Sequence, residues 1–279
     1  MTKKVIGFVR YSVLVGDSGG FAIRNRTSRF EDYRAAIFDP DRLAFKRFLF
    51  GSVTLPSIAA QSIDLDPEWF RLVILTAEDL PEAERKALEH LVAPYPWVRI
   101  VPLPVEERIV YTGASREIDR FCEPGDQYAC FRIDDDDGVG RYFVEDLLSF
   151  VRPELDGFCV TLSAGYLGYV DTKKGKLVEL YTSYSPNVSA GLACIGIRPE
   201  SGGSRDIFSA GSHRELDQLN PVISYAHRPS YLKVLHLFGG QYFGRNARKR
   251  KKRGKKYRKE AATVEQVKEY VSFDDQLIP

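Results

Sequence analysis

The sequence predicts an α/β fold: a mostly parallel sheet with helices on both faces, joined without a linker to a smaller half of mixed and antiparallel strands. Three observations predict it. Continuous apolar runs such as "FRLVILTA" (70–77), flanked by polar residues, read as strands buried on both faces. Amphipathic, helix-like segments alternate with those runs as far as residue 150. From residue 157 consecutive strand-like segments replace the alternation, with "DTKKGK" as a hairpin turn between two of them.

Taken in order, "KKVIGFVR" opens the chain as a core strand. Arg10 interrupts the apolar run and no small-residue cleavage site follows, which argues against a secretory signal. "DPDRLAFKRFLFGSVTLPSIAAQS" reads as a helix packing through Leu43, Phe45, Phe48 and Leu49, then a loop at Pro56. After the 70–77 strand, "PEAERKALEHLVA" is an amphipathic helix with Pro81 near its start, acids in its first turn and His90 on its surface. "WVRIVPL" is the next strand, and "SREIDRFC" a helix with Ser115 as N-cap. "QYACFRI" is a strand and "GRYFVEDLLSFV" the helix beyond it. "GFCVTLS", "GYLGYVD", "KLVELYTS" and "AGLACIGIR" are the later strands, and "ATVEQVKEYV" has the apolar spacing of a short terminal helix.

Composition narrows the function classes. No apolar run is long enough to span a bilayer. Cys122, Cys130, Cys159 and Cys194 are widely spaced among apolar neighbours, as buried free thiols in a reducing cytoplasm would be. The formal charge of +2 conceals an asymmetry: "RNARKRKKRGKKYRK" (245–259) holds 11 of the 40 Lys and Arg residues and no acid, leaving 29 basic against 38 acidic residues elsewhere. Such a run repels itself and reads as a solvated tail. Each basic residue near an anionic membrane surface gains ~1 kcal/mol, so a peripheral position at the inner face of the membrane is expected. Nucleic acid is disfavoured, because the run has one aromatic, Tyr257, and the acidic body repels phosphates.

"CFRIDDDDGVGRYFVEDL" (130–147) carries the chemistry. Four aspartates, Asp134 to Asp137, stand where a parallel strand ends, and that is where α/β sheets bind ligands. A divalent cation held by oxygens would compensate their mutual repulsion. Use of the carboxylates at the start of the next helix accounts for two of the four. An EF-hand loop fails, because with Gly138 at its sixth position the first and twelfth would be Ile133 and Val144.

A strand ending in "FRIDDDD" ahead of a helix resembles the DxD motif of GT-A nucleotide-sugar glycosyltransferases. With "FVRYS" at the first strand, "RIDDDDGVGRYFVEDL" in the middle and "RPSYLKVLHLFGGQ" near the end, the chain resembles the bacterial "putative rhamnosyltransferase" family over roughly residues 4–245. The resemblance implies a GT-A-like, Rossmann-type fold. It divides the chain into a catalytic domain over 1–244 (nucleotide-sugar half about 1–140, acceptor half about 141–244) and a basic tail over 245–279. It also implies Mn²⁺ or Mg²⁺ on the diphosphate of a UDP-, dTDP- or GDP-linked sugar donor, while the charge of the basic tail suggests a glycan or lipid-linked acceptor. Asp134 would lie nearest the ribose and Asp136 would be the principal metal ligand, with Asp135 and Asp137 sharing these roles. Gly138 and Gly140 would admit a sugar near the backbone. Of the later histidines that could complete the metal shell, His236 is favoured and His213 is second.

Donor contacts are expected from Arg10 and Tyr11 at the end of the first strand and Thr76 at the end of the second. Arg116 and Arg120, one helical turn apart, would face the phosphates. The Arg-rich loop 24–30 is a candidate to cover the donor. Glu215, Asp217 and Asp171 are the candidate general bases, of which Glu215 is preferred. Two other classes compete. A nucleotidyltransferase would use the same aspartates but needs a basic, Gly-rich phosphate loop, and Gly16, Gly19 and Gly20 have no basic partner among them. The other is a non-enzymatic cation- or lipid-binding protein.

Overall fold

In the computed structural model β1 (Lys3–Tyr11) is paired in parallel with β2 (Phe70–Ala77) on one side and β4 (Gln127–Asp134) on the other. The structure describes residues 2–16, 27, 29–105, 109–213, 215–239 and 258–279. Most of loop 24–30 and of the basic run 245–259, together with Gly19 and Gly20, lies outside them. β3 (Val98–Leu103) extends the parallel set beyond β2. On the other side β9 (Leu192–Ile197) pairs antiparallel with both β4 and β6 (Cys159–Leu162), and β10 (Val222–Tyr225) closes the edge parallel to β6. The order is β10-β6-β9-β4-β1-β2-β3, a mixed sheet whose parallel block is its amino-terminal half.

Alternation along β1 sends its side chains to two cores. Ile6 and Phe8 pack with α1 (Phe30–Ile37) and α5 (Ile109–Phe121). Val5 and Val9 pack beneath α2 (Pro40–Leu49), α3 (Leu55–Ala59), α4 (Glu82–Val92) and α6 (Phe143–Phe150). Helices therefore cover both faces, as expected. The four cysteines are buried and free.

A second sheet, in the order β12-β8-β7-β11-β5, is built from β5 (Gly138–Val139), β7 (Ala164–Asp171), β8 (Lys176–Tyr184), β11 (Tyr231–Leu235) and β12 (Arg258–Ala261). β7 and β8 form the expected antiparallel hairpin. α2 lies between the sheets: Leu43 faces the larger one, while Phe45 and Leu49 face the smaller. Residues 258–279, grouped above with the basic tail, belong to this second core. β12 pairs with β8, and Val267, Val271, Phe273 and Leu277 pack around α8 (Val264–Tyr270).

Two helix expectations need correction. The segment 40–59 is helical throughout: a π-turn (Phe50–Thr54) joins α2 to α3, with Pro56 in the first turn of α3 and not in a loop. α5 begins at Ile109, not at Ser115, which sits inside the helix.

Asp126 shows how the sheet's amino end is tied. It accepts from the Thr2 hydroxyl at 2.7 Å, the Thr2 N–H at 3.1 Å and the Glu123 N–H at 3.0 Å. Burial opposes its ionisation, but these bonds and Lys4 outweigh burial and hold its carboxyl below the usual range. A folded pKa below the unfolded one gives stabilisation that is full above about pH 4 and lost as pH falls. Asp126→Asn is expected to cost about 1–2 kcal/mol at pH 7 by urea denaturation, with the gap from wild type closing below about pH 4.

Candidate active site

Asp134 is the last residue of β4, and a turn in which the Asp137 N–H donates to the Asp134 carbonyl at 3.2 Å gathers the four carboxylates. Oxygens of Asp134, Asp136 and Asp137 lie within 4.8 Å of one another. The turn stands beside the carboxyl end of β1, in the crevice where such sheets take ligands.

Three cations pair with the four carboxylates. Arg10, in register with Asp134 on the neighbouring strand, donates to it at 2.7 Å. Lys46 of α2 forms ion pairs with both Asp135 and Asp136, the latter at 2.8 Å. Lys233 of β11 donates to Asp137 Oδ2 at 2.8 Å, and the Val234 N–H to its Oδ1 at 2.8 Å. Arg42, buried on α2, donates to the Ile37 carbonyl and contributes charge to Asp135 and Asp136. The fold's own Lys and Arg side chains thus meet the repulsion that the sequence posed.

Ionisation follows from this arrangement. Burial raises all four carboxyls, and the cations decide the outcome. Arg10 and then Lys233 pull Asp134 down to about 2, and Lys46 with His236 brings Asp136 well below the usual range. Asp135 and Asp137 stay up, at about 6 and about 7, because burial outweighs Lys46 and Lys233 there. Burial likewise opposes the charge of Lys46, yet Asp135 and Asp136 hold its pKa above the ordinary value.

His236 is fully buried just past β11, and its Nε2 lies 2.7 Å from Asp136 Oδ2. Burial lowers its pKa, so the neutral ring donates Nε2–H to the carboxylate. It bonds the Asp136 carboxylate and is not among the clustered ligand atoms, which are those of Asp134, Asp136 and Asp137. Its Nδ1 is buried without a partner. His213 has its Nδ1 3.3 Å from Arg132, whose charge also acts on Asp134, and is not among the clustered ligand atoms.

The remaining expected residues divide. Thr76 is buried at the end of β2 with an unpartnered hydroxyl. Tyr11 is fully buried: its hydroxyl donates to Glu84 and its ring meets Phe50 edge-on, so it packs α2 and α4 and offers no face to a base. Arg116 is exposed on α5. Arg120 ends that helix beside the start of β4, roughly 23 Å of strand away from Asp134, and pairs with Glu117. Glu215 is exposed ahead of α7 (Leu216–Leu219) with no side-chain bond to the aspartates. Gly138 and Gly140 serve packing: a Cβ on Gly140 would lie 2.7 Å from the Pro229 carbonyl, and one on Gly138 3.1 Å from Val271.

Sequence reasoning missed Arg42, Lys46, Lys233 and Thr54. The Thr54 hydroxyl, in the π-turn, donates to the Asp137 carbonyl at 2.8 Å. Ser12, next to Arg10, holds a left-handed φ of 52°, uncommon for a residue with a side chain, and its hydroxyl lies 3.4 Å from Arg42. Local signals existed: Arg42 and Lys46 share one helix face with Leu49, and Lys233 interrupts the apolar strand "YLKVL".

The family model described as "Putative rhamnosyl transferase" matches residues 4–241. No curated protein matches the sequence significantly. Among solved structures, S. aureus TarS 1-349 superposes with a TM-score of 0.39 at 10% identity, covering 84% of this chain and 60% of that one. The mannosyltransferase PcManGT from Pyrobaculum calidifontis, in complex with GDP-Man and Mn2+, gives 0.37 at 12% identity, covering 85% and 58%. The chain therefore spans less than two thirds of the length of either structure.

Proposed function

The chain belongs to the family described as "Putative rhamnosyl transferase", and on that premise we propose that it transfers a sugar from a nucleotide-sugar donor to a glycan or lipid-linked acceptor, with the aspartate turn as its reaction centre. The observation that carries this reading is the convergence of the Asp134, Asp136 and Asp137 oxygens within 4.8 Å at the carboxyl end of a parallel strand.

The donor set suits Mn²⁺ or Mg²⁺. It consists of hard carboxylate oxygens, and Asp134 Oδ2 and Asp136 Oδ1 accept no hydrogen bond among the described residues. The buried Asp135 Oδ2 also has no hydrogen-bond partner among the described residues. Asp134 and Asp136 would hold the ion, while Asp137 stays committed to Lys233 and Val234. When bound, the ion would offset the negative charge gathering on the departing diphosphate.

The protein's own residues preorganise the turn. Arg10 fixes Asp134, Lys46 bridges Asp135 and Asp136, and His236 sets the plane of Asp136. Arg42, Lys46 and Lys233 add fixed positive charge where a diphosphate would lie, a stabilisation that needs no rearrangement during reaction.

Incubation with UDP-, dTDP- and GDP-linked sugars plus Mn²⁺ is expected to release nucleoside diphosphate slowly from at least one donor, and EDTA should stop it. If every donor remains intact, the protein is not a transferase of this kind.

A further inference from the structure

At the amino end of the larger sheet, opposite the aspartate turn, lies a second charged cavity. On the face that α5 covers, β1 presents Lys4, Ile6 and Phe8, and β2 presents Arg71, Val73 and Leu75, with Ile6 in register with Arg71. α5 ends at Phe121, so the last layer of this face lies beyond the helix and is basic where the pattern would otherwise continue apolar. The Phe121 ring meets Lys4 Nζ at 4.7 Å and the Arg71 guanidinium at 4.3 Å from its centroid. Together with Arg120, Trp69 and one acid, Glu68, they line an open surface hollow of about 450 Å³.

Positive charge here exceeds what the fold neutralises. Lys4 has the Phe121 carbonyl at 3.0 Å and Asp126 at 3.9 Å. Arg99 and Arg120 share one carboxylate, Glu117. Arg71 has no hydrogen bond or ion pair among the described residues; its contact is the Phe121 ring. A half-buried guanidinium whose donors otherwise meet only water can take a bidentate oxyanion. Burial, and then the charge of Arg99, already press its pKa below the ordinary value.

We propose that this cavity is a second ligand site, which binds a small phosphate-bearing ligand through Arg71 and Lys4, with the body of the ligand against Trp69. The site is distinct from the aspartate turn and stands whether or not the sugar-transfer reading holds.

Calorimetry on the full chain with inorganic phosphate, glucose 1-phosphate and glucose tests it. The two phosphates should bind saturably and glucose should not, and tighter binding of glucose 1-phosphate would tell a sugar phosphate from a bare oxyanion. Arg71→Leu should weaken phosphate binding by about tenfold or more, whereas Asp136→Asn should leave it unchanged. Absence of saturable phosphate binding, or binding unaltered by Arg71→Leu, overturns the proposal.

Discussion

Asp136→Asn is expected to slow sugar transfer by about 10²–10³-fold, far out of proportion to its effect on stability. Asp136 is the best-anchored member of the turn: its Oδ2 accepts from both Lys46 and His236, which leaves Oδ1 directed for other work. Asparagine keeps an acceptor for the His236 Nε2–H, and Lys46 retains its ion pair with Asp135. The fold therefore loses little, while the turn loses a negative oxygen. The measurement is a paired one, nucleoside diphosphate release for the rate and thermal unfolding for the fold. Glu215→Gln is the matched control and should stay near wild type, since Glu215 is exposed and bonded to none of the aspartates. Equal rates for wild type and Asp136→Asn would remove the turn from the chemistry altogether.

The strands were legible because burial on both faces leaves a continuous apolar signature. Val5–Val9, Leu72–Leu75 and Tyr128–Phe131 are all buried, and no other element writes that pattern over so few residues. Helix ends were less legible, because tertiary contacts decide them. Pro56 reads as a stop only if the helix before it is regular, and the π-turn at Phe50–Thr54 resets the register. Gly113 reads as a breaker in the early part of α5, yet a Cβ there would lie 2.9 Å from Leu103 Cδ2, so its absence lets the helix close on β3.

The same division runs through the site. Four adjacent carboxylates announce themselves, since no chain crowds them without compensation. Their partners could not be paired from sequence, because Lys46 lies 90 residues from Asp136, Lys233 lies 96 from Asp137 and His236 lies 100 from Asp136. Only the fold brings α2 and β11 to one turn. Arg10 stood out because it closes the first strand, and there it pairs with Asp134; Tyr11, singled out on the same ground, has its side chain on the opposite face, in the α2–α4 core.

Asp137→Ala is expected to be the most destabilising change in the turn, by about 3–5 kcal/mol in urea denaturation, a large part of a domain's stability. Its carboxylate is fully buried, and it joins β4 to the smaller sheet through Lys233 and the Val234 N–H. Alanine would leave the Val234 N–H without its acceptor and the Lys233 ammonium without its ion pair, with Ser189 as its remaining bonded partner. The Thr54 bond to the Asp137 carbonyl would survive, so the turn would loosen on its β11 side and not on its α2 side. If the loss comes from an ammonium left without its partner, adding Lys233→Met to Asp137→Ala should recover part of it, because a buried pair costs less to delete whole than to halve. Additive losses in the double variant would instead place the cost in the backbone bond to Val234. Asp137→Asn separates the two terms directly, since an amide oxygen can still accept from Val234 while Lys233 loses its ion pair with Asp137.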